Sequence, residues 1–204
     1  MTDGNGHQAG GGTARAIRPG GGQAGDAAPD PARAPHGDAD PLILTLRLDP
    51  ATQSRFDRER RAHFPPARNH LSAHLTLFHH LPGEALDDVV ARLAETCRGQ
   101  PGFDLAVEEV WMMGRGVAYR LRAPELQALR AGLATAWRDR LTPQDRQPLR
   151  PHVTIQNKVP VEAARALHAG LSATFAPFTA RATGLLLWHY RGGPWEPAGE
   201  FPFR

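Results

Sequence analysis

The hydrophobic residues from position 41 onward follow two periods, one typical of strands and one typical of helices. Residues 42–48, Leu-Ile-Leu-Thr-Leu-Arg-Leu, are rich in aliphatic side chains and are followed by Asp49-Pro50, which predicts a strand that ends there. Residues 84–98 repeat apolar side chains at helical spacing. The same patterns predict strands near 42–48, 73–80, 103–110, 116–121, 152–158, 177–189 and 195–203, and helices near 51–63, 84–98, 124–137 and 161–173.

These elements form a mixed α+β pattern in which strand–helix–strand units recur. Each half of the region contains one strand with the sequence His-x-Thr, at His74 and at His152. The recurrence indicates an internal duplication, although the halves share little sequence beyond this motif. We therefore expect one α+β domain, residues 41–204, made of two similar lobes.

Residues 1–40 differ in composition from the rest of the chain. Gly, Ala and Pro fill 23 of these 40 positions, and Ile17 is their only large aliphatic residue. Such a segment cannot bury enough apolar surface to offset its ordering entropy, so we expect a disordered tail. The remaining body carries 21 basic and 16 acidic residues, a formal charge of +5 that is too weak alone to indicate nucleic-acid binding.

Composition also excludes several classes of protein. A single cysteine, Cys97, rules out an internal disulfide and a cysteine-based zinc cluster. No stretch approaches the roughly 18 apolar residues of a membrane span, and the first residues lack the basic start and apolar run of a secretory signal. We expect a soluble cytoplasmic protein with no membrane association and no obligate protein partner.

The candidate chemistry lies in two matching tetrapeptides, residues 74–77 and 152–155. Alternate side chains of a strand share a face, so His74 and Thr76 point the same way, with Cα atoms about 6–7 Å apart. His152 and Thr154 do the same, and the aliphatic residues between them point into a core. If the two strands meet across a groove, two imidazoles and two hydroxyls converge on one space.

Such a set can transfer a phosphoryl group without a metal ion or cofactor. One neutral imidazole can take a proton from the attacking oxygen, while an imidazolium gives a proton to the departing oxygen. The ordinary histidine pKa of about 6.5 permits both roles near neutral pH. The hydroxyls of Thr76 and Thr154 can donate hydrogen bonds to the non-bridging phosphate oxygens.

The paired His-x-Thr-x motifs, 78 residues apart, resemble those of the 2H phosphoesterase superfamily, in particular its 2′-5′ RNA ligase-like branch. The strings at 73–78, 151–158 and 187–195 are similar to that branch's signatures, and the resemblance covers roughly residues 41–204. It implies a two-lobed α+β fold with a groove between two antiparallel sheets. It also implies hydrolysis of 2′,3′-cyclic phosphates or 2′-5′ linkages of RNA or nucleotides, or reversible joining of RNA ends.

By this resemblance the catalytic residues are His74 and His152, the phosphate-binding residues are Thr76 and Thr154, and no metal or cofactor is needed. The implied partners are RNA ends or small molecules that resemble cyclic nucleotides. Many relatives place an arginine shortly after the second motif, where this chain has Lys158. If the second strand continues, Gln156 and Lys158 lie on the site face, and Lys158 supplies the missing cation as a point charge.

Two further residues are candidates for substrate binding. Phe78 is in phase with His74 and either stacks on a base at the groove wall or packs in the core. Arg120 alternates with apolar residues and faces either the groove or solvent. Trp188, Tyr190 and Trp195 also have two interpretations, as groove lining or as packing.

Two other functions compete with a phosphodiesterase. The same histidines and threonines could hold a phosphorylated ribose or an RNA end without chemistry. His74, His79 and His80 could instead indicate a metal site, but His79 should face away from His74, and nearby carboxylates are sparse. We therefore predict ordinary surface histidines at 79 and 80.

Overall fold

The computed structural model describes residues 40–204, so the predicted tail, apart from Asp40, lies outside the described residues. Asp49 begins the first helix by accepting a hydrogen bond from the Thr52 N–H at 2.9 Å, and Pro50 occupies the first turn. The elements are β1 (Leu42–Leu48), α1 (Pro50–His63), β2 (Leu75–Leu81), α2 (Leu86–Arg98), β3 (Phe103–Met112), β4 (Val117–Arg122), α3 (Pro124–Ala136), β5 (His152–Gln156), α4 (Val161–Thr174), β6 (Phe178–His189) and β7 (Glu196–Pro202).

The seven strands form one antiparallel sheet in the order β2-β1-β6-β3-β4-β5, and β7 also pairs with β6. The long strand β6 connects the two halves: it pairs with β1 on one edge, and with β3 and then β7 on the other. The predicted α+β class and antiparallel pairing are confirmed. The two halves of the sheet are continuous through β6, because this one strand is long enough to serve both.

The sheet curls until its two end strands meet. β2 and β5 stand at opposite ends of the strand order, yet they contact each other. Helices pack against the sheet, with α1 on β5, α2 on β6 and β7, and α4 on β3 and β4. Phe56 of α1 packs against Tyr119 and Phe178, with ring centroids 5.5 and 6.0 Å apart. Cys97 lies in this core, and burial raises its pKa to about 11.

Both motif strands contain a register shift directly after the threonine. On β2 and its neighbour β1, Thr45 pairs with Thr76, but the next pair is Leu44 with Phe78. Leu77 is therefore an extra residue on the motif strand, a β-bulge. The side chains that follow it point to the opposite face from the one that strict alternation predicts.

The second motif strand repeats this irregularity at the same distance from its histidine. On β4 and β5, Ala118 pairs with Thr154, but Val117 pairs with Gln156, so Ile155 is the extra residue. Gly116 lets the two strands approach here, because a Cβ at this position would lie 2.1 Å from the carbonyl oxygen of Gln156. The expected duplication therefore extends to the backbone of the motifs.

Two buried charged side chains close the open edge of β2. The Asp145 carboxylate accepts hydrogen bonds from the backbone N–H groups of His79 and His80 at 2.8 and 2.9 Å. Arg130 of α3 donates to the Leu77 carbonyl at 2.7 Å and also to the carbonyl of Asp145. Burial alone would raise the pKa of Asp145, but the hydrogen bonds from His79 and His80 outweigh it and lower the pKa.

No helix of the described part of the chain, residues 40–204, is long and apolar enough to cross a membrane.

We expect Asp145→Asn to destabilise the fold, because an amide has one acceptor oxygen and leaves one of the two N–H groups unsatisfied. The expected loss is about 1–3 kcal/mol of unfolding free energy near neutral pH. Because the pKa of Asp145 is lowered in the folded state, its contribution is present above the unfolded value of about 3.9 and is lost as the pH falls through the folded value. Urea unfolding at several pH values measures this.

The exposed residue Asp139 provides the control, because Asp139→Asn should change the unfolding free energy by less than about 0.5 kcal/mol. The difference in unfolding free energy between wild type and Asp145→Asn should become smaller below about pH 4. A gap of constant size at every pH would contradict the assigned role of the carboxylate.

Candidate active site

The two motif histidines are held by the same local hydrogen bond. Nδ1 of His74 lies 2.8 Å from the carbonyl oxygen of Ser72, and Nδ1 of His152 lies 2.7 Å from that of Arg150. A carbonyl oxygen only accepts, so each Nδ1 must carry the proton. In the neutral ring the lone pair is then on Nε2, and both imidazoles are fixed in the same tautomer and orientation.

Each histidine also lies against a tryptophan. The rings of His74 and Trp195 have centroids 4.6 Å apart, and the edge-to-face rings of His152 and Trp111 have centroids 5.5 Å apart. Trp195 follows the turn between β6 and β7 and packs near Trp188, 6.2 Å away. Trp195 therefore contacts the site, as one of its two interpretations allowed, and Trp111 is an aromatic neighbour that the sequence analysis did not identify.

The two motif threonines differ in exposure. Thr76 is half-buried and pairs across the strands with Thr45, whose hydroxyl accepts a hydrogen bond from Trp188 Nε1 at 2.9 Å. Thr154 is only 3% exposed, and its hydroxyl donates to the Met113 sulfur at 3.8 Å. A thioether is a weak acceptor, so a phosphate oxygen would be a better partner for this hydroxyl.

Helix α1 fixes the segment in front of the first histidine. Gln53 donates to the Ala73 carbonyl at 2.8 Å, and the Asp57 carboxylate accepts from the Ala73 N–H at 2.7 Å. Both backbone groups of the residue before His74 are therefore bound by side chains one helical turn apart.

Arg60, one turn further along α1, connects the two motifs. Its Nε donates to Asn69 Oδ1 at 2.9 Å and to the Leu71 carbonyl at 3.1 Å, both in the loop that leads to His74. Its Nη1 donates to the Thr154 carbonyl at 2.8 Å. The guanidinium is buried and stacks on Phe64, 4.0 Å from the ring centroid. In the sequence, the signal for this role is the spacing of residues 53, 57 and 60, which places them on one face of the helix.

Arg120 lies on the site face beside the second histidine. It is the register partner of His152 on the neighbouring strand, so the two side chains point the same way. Its guanidinium stacks over Trp111, 4.6 Å from the ring centroid, and pairs with Glu109 at 2.6 Å. The side chain therefore lies beside the histidine and is also 42% exposed, which combines its two predicted positions, groove and solvent.

Two of the predicted substrate-binding residues lie elsewhere. Phe78 is fully buried and packs edge-on against Trp137 at 5.2 Å, because the extra residue Leu77 turns it into the core. Lys158 does not continue the site face, because β5 ends at Gln156 after its own phase reversal. Lys158 is exposed in a turn with a φ of 60°. The condition for its predicted role as the cation of the site, a strand that continues to residue 158, is therefore not met.

Within residues 40–204, no group of three or more His, Cys, Asp or Glu side chains is arranged to hold a metal ion. His79 instead contacts the Asp145 carboxylate through Nδ1 at 3.3 Å.

A family model described as the 2′-5′ RNA ligase superfamily matches residues 48–194. TT0787 of Thermus thermophilus superposes with a TM-score of 0.59 at 18% identity, over 80% of this chain and 98% of that one. E. coli LigT complexed with NADP+ gives 0.53 at 24% identity, over 82% and 99%. LigT complexed with 3′-AMP gives 0.51 at 22% identity, over 81% and 99%. No curated protein matches the sequence. At these identities the solved structures show a shared fold.

The backbone contacts predict the same tautomer for both motif histidines. Well above the ordinary imidazole pKa of about 6.5, His74 and His152 should carry their proton on Nδ1. Long-range ¹H–¹⁵N correlation spectra measure this, with His74→Gln and His152→Gln variants used to assign the signals. An Nε2-protonated ring at either position would contradict the hydrogen-bond assignment.

We expect Arg60→Lys to weaken the fold and to perturb both histidines together. An ammonium group keeps the charge but cannot reach Asn69, Leu71 and Thr154 at once. Each acceptor left unsatisfied costs about 1–3 kcal/mol. Chemical denaturation and the imidazole NMR signals measure the two effects.

Arg61→Lys is the matched control, because Arg61 is the next residue of the same helix and is exposed. It should change the unfolding free energy by less than about 0.5 kcal/mol. If Arg60→Lys shifted the signals of one histidine only, the link between the two motifs would be refuted.

Proposed function

Because the chain belongs to the 2′-5′ RNA ligase superfamily, we propose that it is a metal-independent phosphodiesterase. Its substrates would be 2′,3′-cyclic phosphates or 2′-5′ linkages of RNA or nucleotides, and His74 and His152 would act as a paired acid and base. The observation that carries this proposal is the matched Nδ1–carbonyl hydrogen bond, which gives both rings the same reactive nitrogen.

In hydrolysis of a 2′,3′-cyclic phosphate, Nε2 of one neutral imidazole accepts a proton from water as the water oxygen bonds to phosphorus. Nε2 of the other ring, protonated at the start, donates its proton to the ribose oxygen as the bond from phosphorus to that oxygen breaks. The product is a ribose monophosphate, and the two rings have exchanged protonation states. Proton exchange with solvent resets them.

Hydroxyl groups and a cation complete the proposed site. Thr76 and Thr154 would donate to the non-bridging oxygens, whose negative charge grows in the transition state. Thr154 would exchange its weak sulfur acceptor, Met113, for a phosphate oxygen. Arg120, the register partner of His152 on the neighbouring strand, would add positive charge at the edge of the site.

The solved relatives support nucleotides as the class of substrate. LigT of E. coli has been solved with 3′-AMP, with NADP+ and with ATP, all of which combine a ribose with phosphate groups. We infer that RNA ends or cyclic nucleotide-like molecules bind between the two motifs of this chain.

We expect His74→Gln and His152→Gln each to lower kcat on a 2′,3′-cyclic mononucleotide by about 10²–10⁴-fold, because each removes one proton transfer. Thr76→Val should lower kcat by about 10²-fold, the effect of losing one donor to the developing charge. Wild type should show a bell-shaped pH profile around neutrality, since one ring must begin neutral and the other protonated. Release of the opened monophosphate measures turnover.

Circular dichroism should show all three variants folded, and EDTA should leave the wild-type rate unchanged. Full activity in either histidine variant would refute the mechanism, and loss of activity with EDTA would favour a metal site. Tight binding of every tested cyclic phosphate without turnover would favour a non-catalytic binding module. Joining of cyclic-phosphate and 5′-hydroxyl RNA ends would show that the reaction also runs in the ligase direction.

A further inference from the structure

Arg120 lies one strand outside His152 and points away from the centre of the site. Strand order places β4 between β5, which carries His152, and β3, which carries Glu109 and Trp111. Arg120 contacts both β3 residues, through the ion pair at 2.6 Å and the ring stack at 4.6 Å. Its guanidinium is therefore more than one strand spacing, about 4.8 Å, beyond the strand of the histidine.

Arg47 occupies the matching position in the other half. Leu46 pairs with Leu75 at the start of β2, and extending this antiparallel register by one residue places Arg47 opposite His74. Arg47 also points away from its histidine, because Nη1 pairs with Glu200 of β7 and Nε donates to Thr183 of β6 at 3.1 Å. Both lie beyond β1 on the side away from β2.

Across the site, the side chains therefore follow the order Arg47, His74, His152, Arg120. Each arginine is paired with one glutamate, and all four side chains are substantially exposed: 34% and 61% for Arg47 and Glu200, and 42% and 48% for Arg120 and Glu109. Exposed ion pairs of this kind contribute little, so a phosphate that accepts two parallel hydrogen bonds from the guanidinium can displace the carboxylate.

We propose that Arg47 and Arg120 bind phosphates on either side of the scissile one, so that the protein selects substrates by their additional phosphate groups. This rests on the proposed function, in which the scissile phosphate lies between the histidines. The ligand chemistry is a second or third phosphate about one nucleotide from the reacting centre, carried by an oligonucleotide or by a further phosphorylated small molecule. Glu109 and Glu200 compete with these phosphates for the two guanidinium groups and so lower the affinity for phosphate.

The test compares three substrates with the same cyclic end: a mononucleoside 2′,3′-cyclic phosphate, its 5′-phosphorylated form and a dinucleotide. The kcat/KM of the dinucleotide should be about tenfold higher than that of the mononucleoside, because one charge-assisted contact contributes about that factor. The difference should come from a lower KM. Arg47→Gln or Arg120→Gln, whichever faces the 5′ side, should remove most of this gain. It should also lower the salt dependence of log(kcat/KM) by about 0.7.

A 2′-5′-linked tetranucleotide, used as a competitive inhibitor, carries phosphates on both sides of its central linkage. Its inhibition constant should rise about tenfold in each arginine variant. Glu109→Gln and Glu200→Gln should act in the opposite direction and tighten inhibition. Arg92→Gln is the matched control, because Arg92 pairs with Glu95 at 2.8 Å and is similarly exposed, but lies on α2.

The outcomes separate this inference from the proposed function. If wild type hydrolyses none of the three substrates, the proposed function has failed. If it hydrolyses the dinucleotide and the mononucleoside with equal kcat/KM, or if the arginine variants match Arg92→Gln, only this inference has failed. If the 5′-phosphorylated mononucleotide shows the whole increase in kcat/KM, the extra phosphate belongs to a small molecule. If only the dinucleotide shows the increase, the extra phosphate belongs to an oligonucleotide strand.

Discussion

The buried guanidinium of Arg60 donates hydrogen bonds to both motif segments, which stand at opposite ends of the sheet order. β2 and β5 meet because the sheet curls, and the described pairings contain no backbone ladder between them. Side chains of α1 and α3 therefore satisfy polar groups that two edge strands would otherwise leave open. Arg60 therefore links the two motif segments directly, whereas the backbone pairing between them runs through β1, β6, β3 and β4.

This arrangement explains where the buried polar residues lie. Arg60, Arg130 and Asp145 are buried at the edges of the motif strands, while the rest of the core is almost wholly apolar. A buried charged group is costly unless it is hydrogen-bonded, so each such residue marks a backbone group that needs a partner. The polar residues that stabilise the fold therefore also fix the geometry of the candidate site.

The duplication repeats chemistry as well as strands. Each half contributes an imidazole bonded to a carbonyl two residues earlier and a threonine followed by an extra residue. The halves differ in burial and lining: Thr76 is half-buried and Thr154 is buried, and Thr45 corresponds to Ala118. Two motifs that are similar but not identical suit a reaction in which one imidazole gives a proton while the other takes one.

The elements, the α+β class and the shared face of each histidine with its threonine could be predicted from the sequence, because they follow from local period and short-range sterics. Strict alternation could not predict which face the side chains beyond Thr76 and Thr154 occupy, since each strand contains an extra residue. In β2 the carbonyl of this residue, Leu77, is held by Arg130, which is distant in sequence. For this reason Phe78 packs in the core, one of its two predicted positions, and Lys158 lies beyond the end of β5. The places of Trp111 and Arg47 came from the fold, because strand order, which no local pattern encodes, decides which residues lie on the strands near the histidines.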